Sequence, residues 1–138
     1  MVLNYECVRD VLLYLEAQDY FIPTDSGVVE YCPVCIEQIC SDLPDYGESD
    51  VFYTLFNLGQ AGYIDTTMLD SDNGIMDIRV NYITFQGHEF LSKIKDNGHW
   101  SSVKKGLSVV RDCSLSAIGA IAQGITGALI DSYIKAKR

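Results

Sequence analysis

The chain has 138 residues, of which 48% are apolar and 21% are charged, and its formal net charge is −9. This composition predicts an ordinary soluble domain that buries roughly two thirds of its unfolded surface. Charged residues interrupt the apolar ones throughout residues 1–18, so the sequence excludes a signal peptide or spanning helix there and makes the cytoplasm the expected location.

The first two helices and a short strand follow from the spacing of apolar residues. Asn4, a favourable N-cap, precedes apolar residues at helical spacing and predicts a first helix over about residues 4–18. β-Branched and aromatic residues then predict a loop and a short strand over 28–31. From Pro33 the helical spacing returns. Because proline is favoured at the first position of a helix, we expect a second helix over about 33–42.

A third helix, a hairpin and a fourth helix come next. The stretch ESDVFYTLFNLGQAG predicts a helix that ends at 59–62, with an apolar face formed by Val51, Phe52, Leu55, Phe56 and Leu58. Two alternating segments, 63–69 and 75–83, flank the turn-forming DSDNG and predict a hairpin. Thr84 is a favourable N-cap for a helix in TFQGHEFLSKIKDNG. This order predicts an α+β fold, a winged helix-turn-helix, in which the hairpin is the wing.

We expect the winged-helix domain over residues 1–100 and a helical extension over 101–138. Apolar residues at spacings of three and four predict a helix that forms a homodimer or packs across its own domain. Its contact residues would be Ile118, Ala122, Ile125 and Leu129. The apolar run 115–130 has 16 residues, fewer than the ~20 that a spanning helix needs, so membrane contact is the less favoured alternative.

The segment VVEYCPVCIEQIC, residues 28–40, leaves three interpretations of its thiols open. Cys32, Cys35 and Cys40 could begin a zinc site, but a second ligand pair of the usual spacing is missing. A redox dithiol would need a βαβ crossover and a later cis-proline, and neither is predicted. We therefore expect no metal or other cofactor, with Cys40 packed against the core and Cys32 and Cys35 as the undecided pair. The five cysteines, an odd number, also argue against a disulfide framework.

The segments VFYTLFNLGQAGYI (51–64) and YITFQGHEFLSKIKDNGHWSSVKK (82–105) resemble the DUF2513 family of bacteria and their phages. The most specific part of the resemblance is the set Thr84, Gly87, His88, Glu89, Phe90, Leu91, Asp96 and Trp100. The resemblance implies a winged-helix fold and a prokaryotic or phage source, and it implies no activity because the family is uncharacterised. The family often has a histidine after the tyrosine of the third helix, whereas here Tyr53 is followed by Thr54.

The charge distribution argues against DNA binding. Residues 1–78 carry fifteen acidic residues and one basic residue, for a local charge of −14, whereas residues 79–138 carry +5. The helix-turn-helix has no Lys or Arg to meet phosphates. Its acidic residues are Glu37, Asp42, Asp45, Glu48 and Asp50, and those of the wing are Asp70, Asp72 and Asp77.

An acidic face of this kind suits a partner protein with a basic surface, including a surface that ordinarily holds nucleic acid. We therefore expect a protein of phage or prophage type that inhibits or modulates a host nucleic-acid-handling or defence factor. The sequence contains no metalloprotease, phosphate-loop or nucleophile-elbow motif, so we expect no enzyme activity. The alternative is a DNA-binding transcriptional regulator of the winged helix-turn-helix class.

Overall fold

The structure, a computed structural model, describes residues 1–111 and 113–126, and for residues 125 and 126 it describes the backbone alone. The elements in these residues are α1 (Tyr5–Glu16), β1 (Phe21–Pro23), β2 (Val29–Tyr31), β3 (Val34–Cys35), α2 (Ile36–Asp42), α3 (Glu48–Gln60), β4 (Ile64–Ser71), β5 (Gly74–Ile83), α4 (Phe85–Ile94), α5 (Asn97–Val110) and α6 (Leu115–Thr126). The strands form an antiparallel β1-β2 ribbon and a three-stranded antiparallel sheet of order β3-β5-β4. The predicted α+β class is confirmed.

The first helix begins as predicted because Asn4 caps it. Its side-chain oxygen accepts hydrogen bonds from the backbone N–H groups of Glu6 at 3.1 Å and Cys7 at 3.2 Å. The buried face of α1 consists of Cys7, Val8, Val11, Leu12 and Leu15. This face contacts α3, α4 and β5, so α1 lies at the centre of the core.

The second helix starts later than predicted. Val34 and Cys35 form β3, which pairs with Val80 and Arg79 of β5, and Cys35 is the N-cap of α2. The prediction that Pro33 opens this helix is therefore wrong. Val34 is only 3% exposed, and as a β-branched residue it gains both core burial and a strand partner by staying extended.

The β1-β2 ribbon was predicted only in part. The predicted strand over 28–31 is confirmed as β2, but its partner β1 had been interpreted as a loop. Every residue of the two strands is exposed, and the rings of Phe21 and Tyr31 stack with centroids 5.6 Å apart. Because no residue of either strand is buried, the sequence has no alternation of buried and exposed positions from which β1 could be predicted.

The predicted hairpin is confirmed as β4 and β5. Its base is part of the core, because Ile64, Ile78, Val80 and Ile83 are buried. Its outer half is exposed on both strands, from residue 67 to residue 76. The hairpin therefore extends from the body of the protein beside α3.

The start of α4 is fixed tightly to the base of the hairpin. The hydroxyl of Thr84 accepts a hydrogen bond from the Gly87 N–H at 3.1 Å and donates one to the Gly62 carbonyl at 2.6 Å. The backbone passes so closely here that a Cβ on Gly87 would lie 1.9 Å from the Tyr63 carbonyl oxygen. The ring of Tyr63 stacks on Phe90 of α4 at 4.6 Å.

The fifth helix was not predicted, although its signal was present. Asp96 caps it by accepting a hydrogen bond from the His99 N–H at 2.8 Å. Trp100, Val103 and Leu107, at spacings of three and four, are buried. The predicted domain boundary after residue 100 falls inside this helix.

The sixth helix packs on the fifth and joins the same core. Leu115, Ile118 and Ala122 of α6 belong to the core cluster that also contains residues of α1 and α3. The contact with α5 is close, since a Cβ on Gly106 would lie 2.7 Å from Cγ2 of Ile121. Across residues 1–111 and 113–126, no helix has both the length and the hydropathy that crossing a bilayer requires.

Candidate functional site

Three of the predicted acidic residues do not converge on a cavity. Asp42 accepts a hydrogen bond from the Tyr14 hydroxyl at 2.6 Å, which links the end of α2 to α1. Asp50 is half-buried, and its charge acts on the thiol of Cys7. Asp45 is exposed in the turn between α2 and α3. The acidic residues of the two helices therefore do not form one uniform face.

Glu37, Glu48 and Asp77 are brought together around one cavity. This cavity of about 560 Å³ lies between α2, α3 and β5 and is lined by Cys35, Ile36, Glu37, Cys40, Glu48, Phe52, Met76, Asp77 and Arg79. Arg79 forms an ion pair with Asp77 at 3.4 Å. Glu37 and Glu48 are exposed and form no ion pair with any described residue. The cavity is therefore negatively charged.

Two further cavities continue the first one along α3. One, of about 430 Å³, shares Glu48 and Phe52 with it and is also lined by Met1, Ser49, Tyr53, Phe56, Ile75 and Ile78. The other, of about 130 Å³, shares Phe56 and Ile78 with the second and is also lined by Leu55, Gly59, Gln60, Thr66 and Met68. We call these three adjoining cavities the α3 groove. Its acidic end lies at the start of α3, and its neutral end lies where α3 ends.

Large apolar side chains are exposed along this groove. The exposed fractions are 40% for Phe56, 39% for Ile75, 67% for Met76 and 41% for Met68. Contiguous exposed apolar surface with a polar rim is typical of interaction sites. The α3 groove combines an apolar floor with acidic residues at one end.

The negative charge elsewhere is partly compensated by the basic half of the chain. Lys95 of the α4–α5 junction pairs with Glu16 at 2.6 Å, and Lys104 of α5 pairs with Glu6 at 2.9 Å. Both acids belong to α1. Such exposed pairs add little stability, but they neutralise charge locally. Of the acidic residues predicted for the helix-turn-helix and the wing, only Asp77 has an ion-pair partner among the described residues, and Asp70 and Asp72 are exposed at the hairpin tip.

Comparison with known proteins places the chain in a family. The family model described as "Hypothetical protein (DUF2513)" matches residues 2–111. The chain belongs to the DUF2513 family. A relative from Haemophilus influenzae strain Rd, described as an uncharacterized protein, is 31% identical over 132 residues, which cover 92% of this chain and 97% of the relative. No solved structure matches the chain.

The fold accounts for most of the residues that carry the DUF2513 resemblance. Thr84 and Asp96 cap helices, Gly87 permits the close approach to Tyr63, and Phe90, Leu91 and Trp100 are buried. His88 and Glu89 are exposed on α4, away from the α3 groove cavities. Thr54, which follows Tyr53 on α3, lies in the interior. Thr54 is fully buried, its hydroxyl lacks a hydrogen bond of good geometry, and the thiol of Cys7 is the polar group that interacts with it.

The thiols of this DUF2513 chain do not form a ligand set. In the part of the chain that the structure describes, no group of three or more His, Cys, Asp or Glu side chains could hold a metal ion, so Cys32, Cys35 and Cys40 are not brought together for one. Cys40 packs against the core as predicted. Burial raises the pKa of the Cys40 thiol, and Glu48 adds to the shift, while burial also raises the pKa of the Cys7 thiol. Both thiols are therefore protonated and weakly nucleophilic at neutral pH.

Two of the four residues predicted for a dimer contact pack inside their own chain instead. Ile118 is 0% exposed and Ala122 is 1% exposed, and both pack within their own chain. Neither side chain is therefore exposed for a dimer contact in this structure. Both fit the predicted alternative, in which the helix packs across its own domain. The side chain of Ile125 and all of Leu129 lie outside the described residues. Homodimerisation remains a prediction.

Sequence reasoning missed the apolar part of the site. Phe52 and Phe56 were interpreted as widening the buried face of α3, but Phe56 is exposed and both line the groove. The signal was the width of the apolar arc. At about 100° per residue, Val51, Phe52, Leu55, Phe56 and Leu58 span about 160° of α3, which exceeds the ~100° stripe that one buried face requires. An excess of this kind indicates a second apolar surface.

The bond between Tyr14 and Asp42 leads to a prediction about alkaline stability. Burial, followed by this hydrogen bond, raises the pKa of Tyr14 from 10.0 to about 12. Between these pH values the unfolded chain releases the phenolic proton while the folded protein keeps it, so stability falls as the pH rises. We expect Tyr14→Phe to be less stable than the unsubstituted protein at pH 9 and the difference to shrink from pH 10 to 12. Urea unfolding at each pH measures this, and parallel stability curves would contradict it.

Proposed function

We propose that this protein is a non-enzymatic winged-helix domain that binds a basic surface of another protein through the α3 groove. The observation that carries the proposal is the combination of unpaired Glu37 and Glu48 with exposed apolar side chains in the same groove. Interfaces need apolar anchors for affinity and charge for selectivity, and this groove offers both.

The topology supports the winged-helix assignment. A short strand, β3, precedes α2 and α3, and a hairpin follows them. The middle strand of the sheet is the second strand of that hairpin, β5, which pairs with β3 on one side and β4 on the other. In a winged helix-turn-helix, α2 and α3 form the helix-turn-helix and the hairpin is the wing. The α3 groove then lies between the recognition helix and the wing.

The charges of the α3 groove favour a basic protein partner over DNA. The first turn of α3 carries Glu48 and Asp50, at the end from which a recognition helix commonly reads base edges. Arg79 is the single Lys or Arg that lines the three described cavities, and it is already paired with Asp77. DNA affinity depends largely on cations that neutralise phosphates. A partner with Lys and Arg of its own complements the groove much better.

Partners of this chemistry include proteins whose basic surface ordinarily holds nucleic acid. By occupying such a surface, an acidic domain of phage or prophage type would inhibit or modulate a host nucleic-acid-handling or defence factor. Phe52 and Phe56, one helical turn apart on α3, would be the apolar anchors. Glu37 and Glu48 would meet cations at the rim.

A charge-reversal experiment tests the proposal. The full chain is immobilised and exposed to bacterial lysate in parallel with Glu37→Lys/Glu48→Lys and with Asp19→Lys/Asp25→Lys. The second double variant makes the same charge change at exposed residues outside the groove. We expect captured proteins whose binding is at least ~10-fold weaker with the groove variant, because an attraction at each site becomes a repulsion, and nearly unchanged with the control. Equal loss in both variants would contradict the proposal.

Duplex DNA provides the opposing test. A mobility-shift titration at several salt concentrations should show no binding at micromolar protein, since the groove presents no unpaired cation. Binding at micromolar protein or tighter, with an affinity that falls steeply as salt rises, would favour the DNA-binding regulator instead.

A further inference from the structure

The shape and charge of the α3 groove specify the kind of segment that fills it. The three cavities follow α3 from Glu48 to Gln60, and a helix of 13 residues is ~20 Å long. The groove is thus elongated along α3 rather than a single pocket. A segment that fills it must present apolar side chains along one side over that distance.

The apolar side chains of the groove are spaced by one helical turn. Phe52 and Phe56 are four residues apart on α3, so their side chains stand about 6 Å apart in a row along the helix. Rows of this spacing on one helix interdigitate with the same rows on another. A helical partner therefore matches the spacing of the groove.

At the edge of β5 that borders the acidic cavity, an extended partner finds much less to bind. A strand would add to the side of β5 that β3 leaves open. However, β3 pairs only with Val80 and Arg79, and α2 begins directly after it. Toward the tip, the register shift between Leu69 and Asp70 leaves Met76 as a bulged residue of β5. Bulges of this kind disrupt ladder pairing and protect sheet edges.

The charge of the groove sets the direction of the occupant. Glu37, Glu48 and Asp77 lie at the start of α3, around the largest cavity. The opposite end is lined by Gly59, Gln60, Thr66 and other uncharged residues. A helix with Lys or Arg at one end only would be held in a single orientation, with its cations beside Glu37 and Glu48.

We propose that the α3 groove binds one amphipathic helix of the partner, about 12–14 residues long, with apolar residues one turn apart and Lys or Arg clustered at one end. This inference rests on the proposed function and names the element of the partner that the groove recognises. The helix lies along α3, its apolar side facing Phe52 and Phe56, and its basic end lies at Glu48.

Selection from a peptide library tests this inference. A random library of 14-residue peptides is panned against the full chain, and enriched peptides are synthesised and titrated by calorimetry. We expect apolar residues at i, i+3 or i+4 and i+7, with Lys or Arg concentrated at one end. A proline placed at the centre of such a peptide should abolish binding, because it breaks the helix.

Two matched variants test whether the selected peptides bind in the α3 groove. Phe56→Ala in the groove and Phe21→Ala on the β1-β2 ribbon both truncate an exposed phenylalanine, 40% and 58% exposed. We expect affinity for the peptides to fall ~10-fold or more with Phe56→Ala and to change less than ~2-fold with Phe21→Ala. Glu48→Lys should remove the advantage of the basic end. Circular dichroism and thermal unfolding confirm that each variant is folded.

The outcomes separate this inference from the proposed function. Peptides that lose affinity with Phe56→Ala and Glu48→Lys but tolerate a central proline would show an extended occupant, which overturns the helix and leaves the proposed function intact. Enriched peptides that are insensitive to both groove variants would overturn the helix and the proposed function together.

Discussion

Replacing Gly87 with alanine is expected to destabilise the protein by about 3 kcal/mol or more, which is a large part of the stability of a domain of this size. The added Cβ would lie 1.9 Å from the Tyr63 carbonyl oxygen and 2.7 Å from Cγ2 of Ile83. The first contact is with backbone, which cannot rotate away. Relief would require α4 to move from the base of the hairpin, and that would break the hydrogen bond from Thr84 to Gly62.

Chemical unfolding in urea measures this effect, and Gly124→Ala is the matched control. A Cβ on Gly124, also in a helix, would meet nothing within 4 Å. The control should be unchanged or more stable by up to ~1 kcal/mol, because alanine favours the helix more than glycine does. If Gly87→Ala were as stable as this control, the close packing between α4 and the hairpin described above would be wrong.

Arg9→Ala is expected to cost about 2 kcal/mol of stability, although the residue is only half-buried. The guanidinium donates hydrogen bonds to the carbonyls of Ile94 at 2.8 Å and Lys95 at 2.7 Å, and to the Asn97 side chain at 2.7 Å. It also lies over the Trp100 ring, 5.6 Å from the centroid. One side chain of α1 therefore joins the end of α4 to the start of α5.

Arg79→Ala provides the comparison, since Arg79 is exposed and makes a single ion pair with its near neighbour Asp77. We expect that change to stay within ~0.5 kcal/mol. Lysine at position 9 should recover only part of the loss, because its ammonium cannot make the fork of hydrogen bonds that arginine makes. Equal effects of Arg9→Ala and Arg79→Ala on urea unfolding would show that the α4–α5 junction does not depend on Arg9.

Sequence reasoning was most successful where local chemistry decides the structure. Asn4 and Thr84 were predicted as N-caps and are N-caps, and the alternating segments around DSDNG form the hairpin. In these places the preference of the side chain and the demand of the tertiary structure agree. The DUF2513 assignment likewise rested on residues that cap helices or allow close packing.

The errors arose where a tertiary contact overrode a local preference. Proline at the start of a helix is a sound local rule, but pairing of Val34 with Val80 kept the chain extended past Pro33. No local rule indicates that a strand of two residues will find a partner more than forty residues away. The missed α5 is a different case, since the spacing of Trp100, Val103 and Leu107 was visible in the sequence.

The candidate site was predictable in charge but not in shape. Glu37, Glu48 and Asp77 were all identified as acidic surface residues. Their convergence on one cavity depends on the packing of α2, α3 and β5, and the same packing turned Asp42 toward Tyr14 and half-buried Asp50. Which acids remain free of intramolecular partners is a property of the fold, and it cannot be deduced from their number.

The cavity at the acidic start of the groove measures about 560 Å³ and the one where α3 ends about 130 Å³, and this asymmetry has a kinetic consequence. A basic partner is attracted first to the larger, negatively charged cavity, so the association rate constant should fall as salt rises. The apolar contacts along Phe52 and Phe56 form afterwards and govern the dissociation rate constant, which should depend little on salt. Capture and residence would thus be controlled by different residues of one groove, and a change in ionic strength would alter how often complexes form more than how long they last.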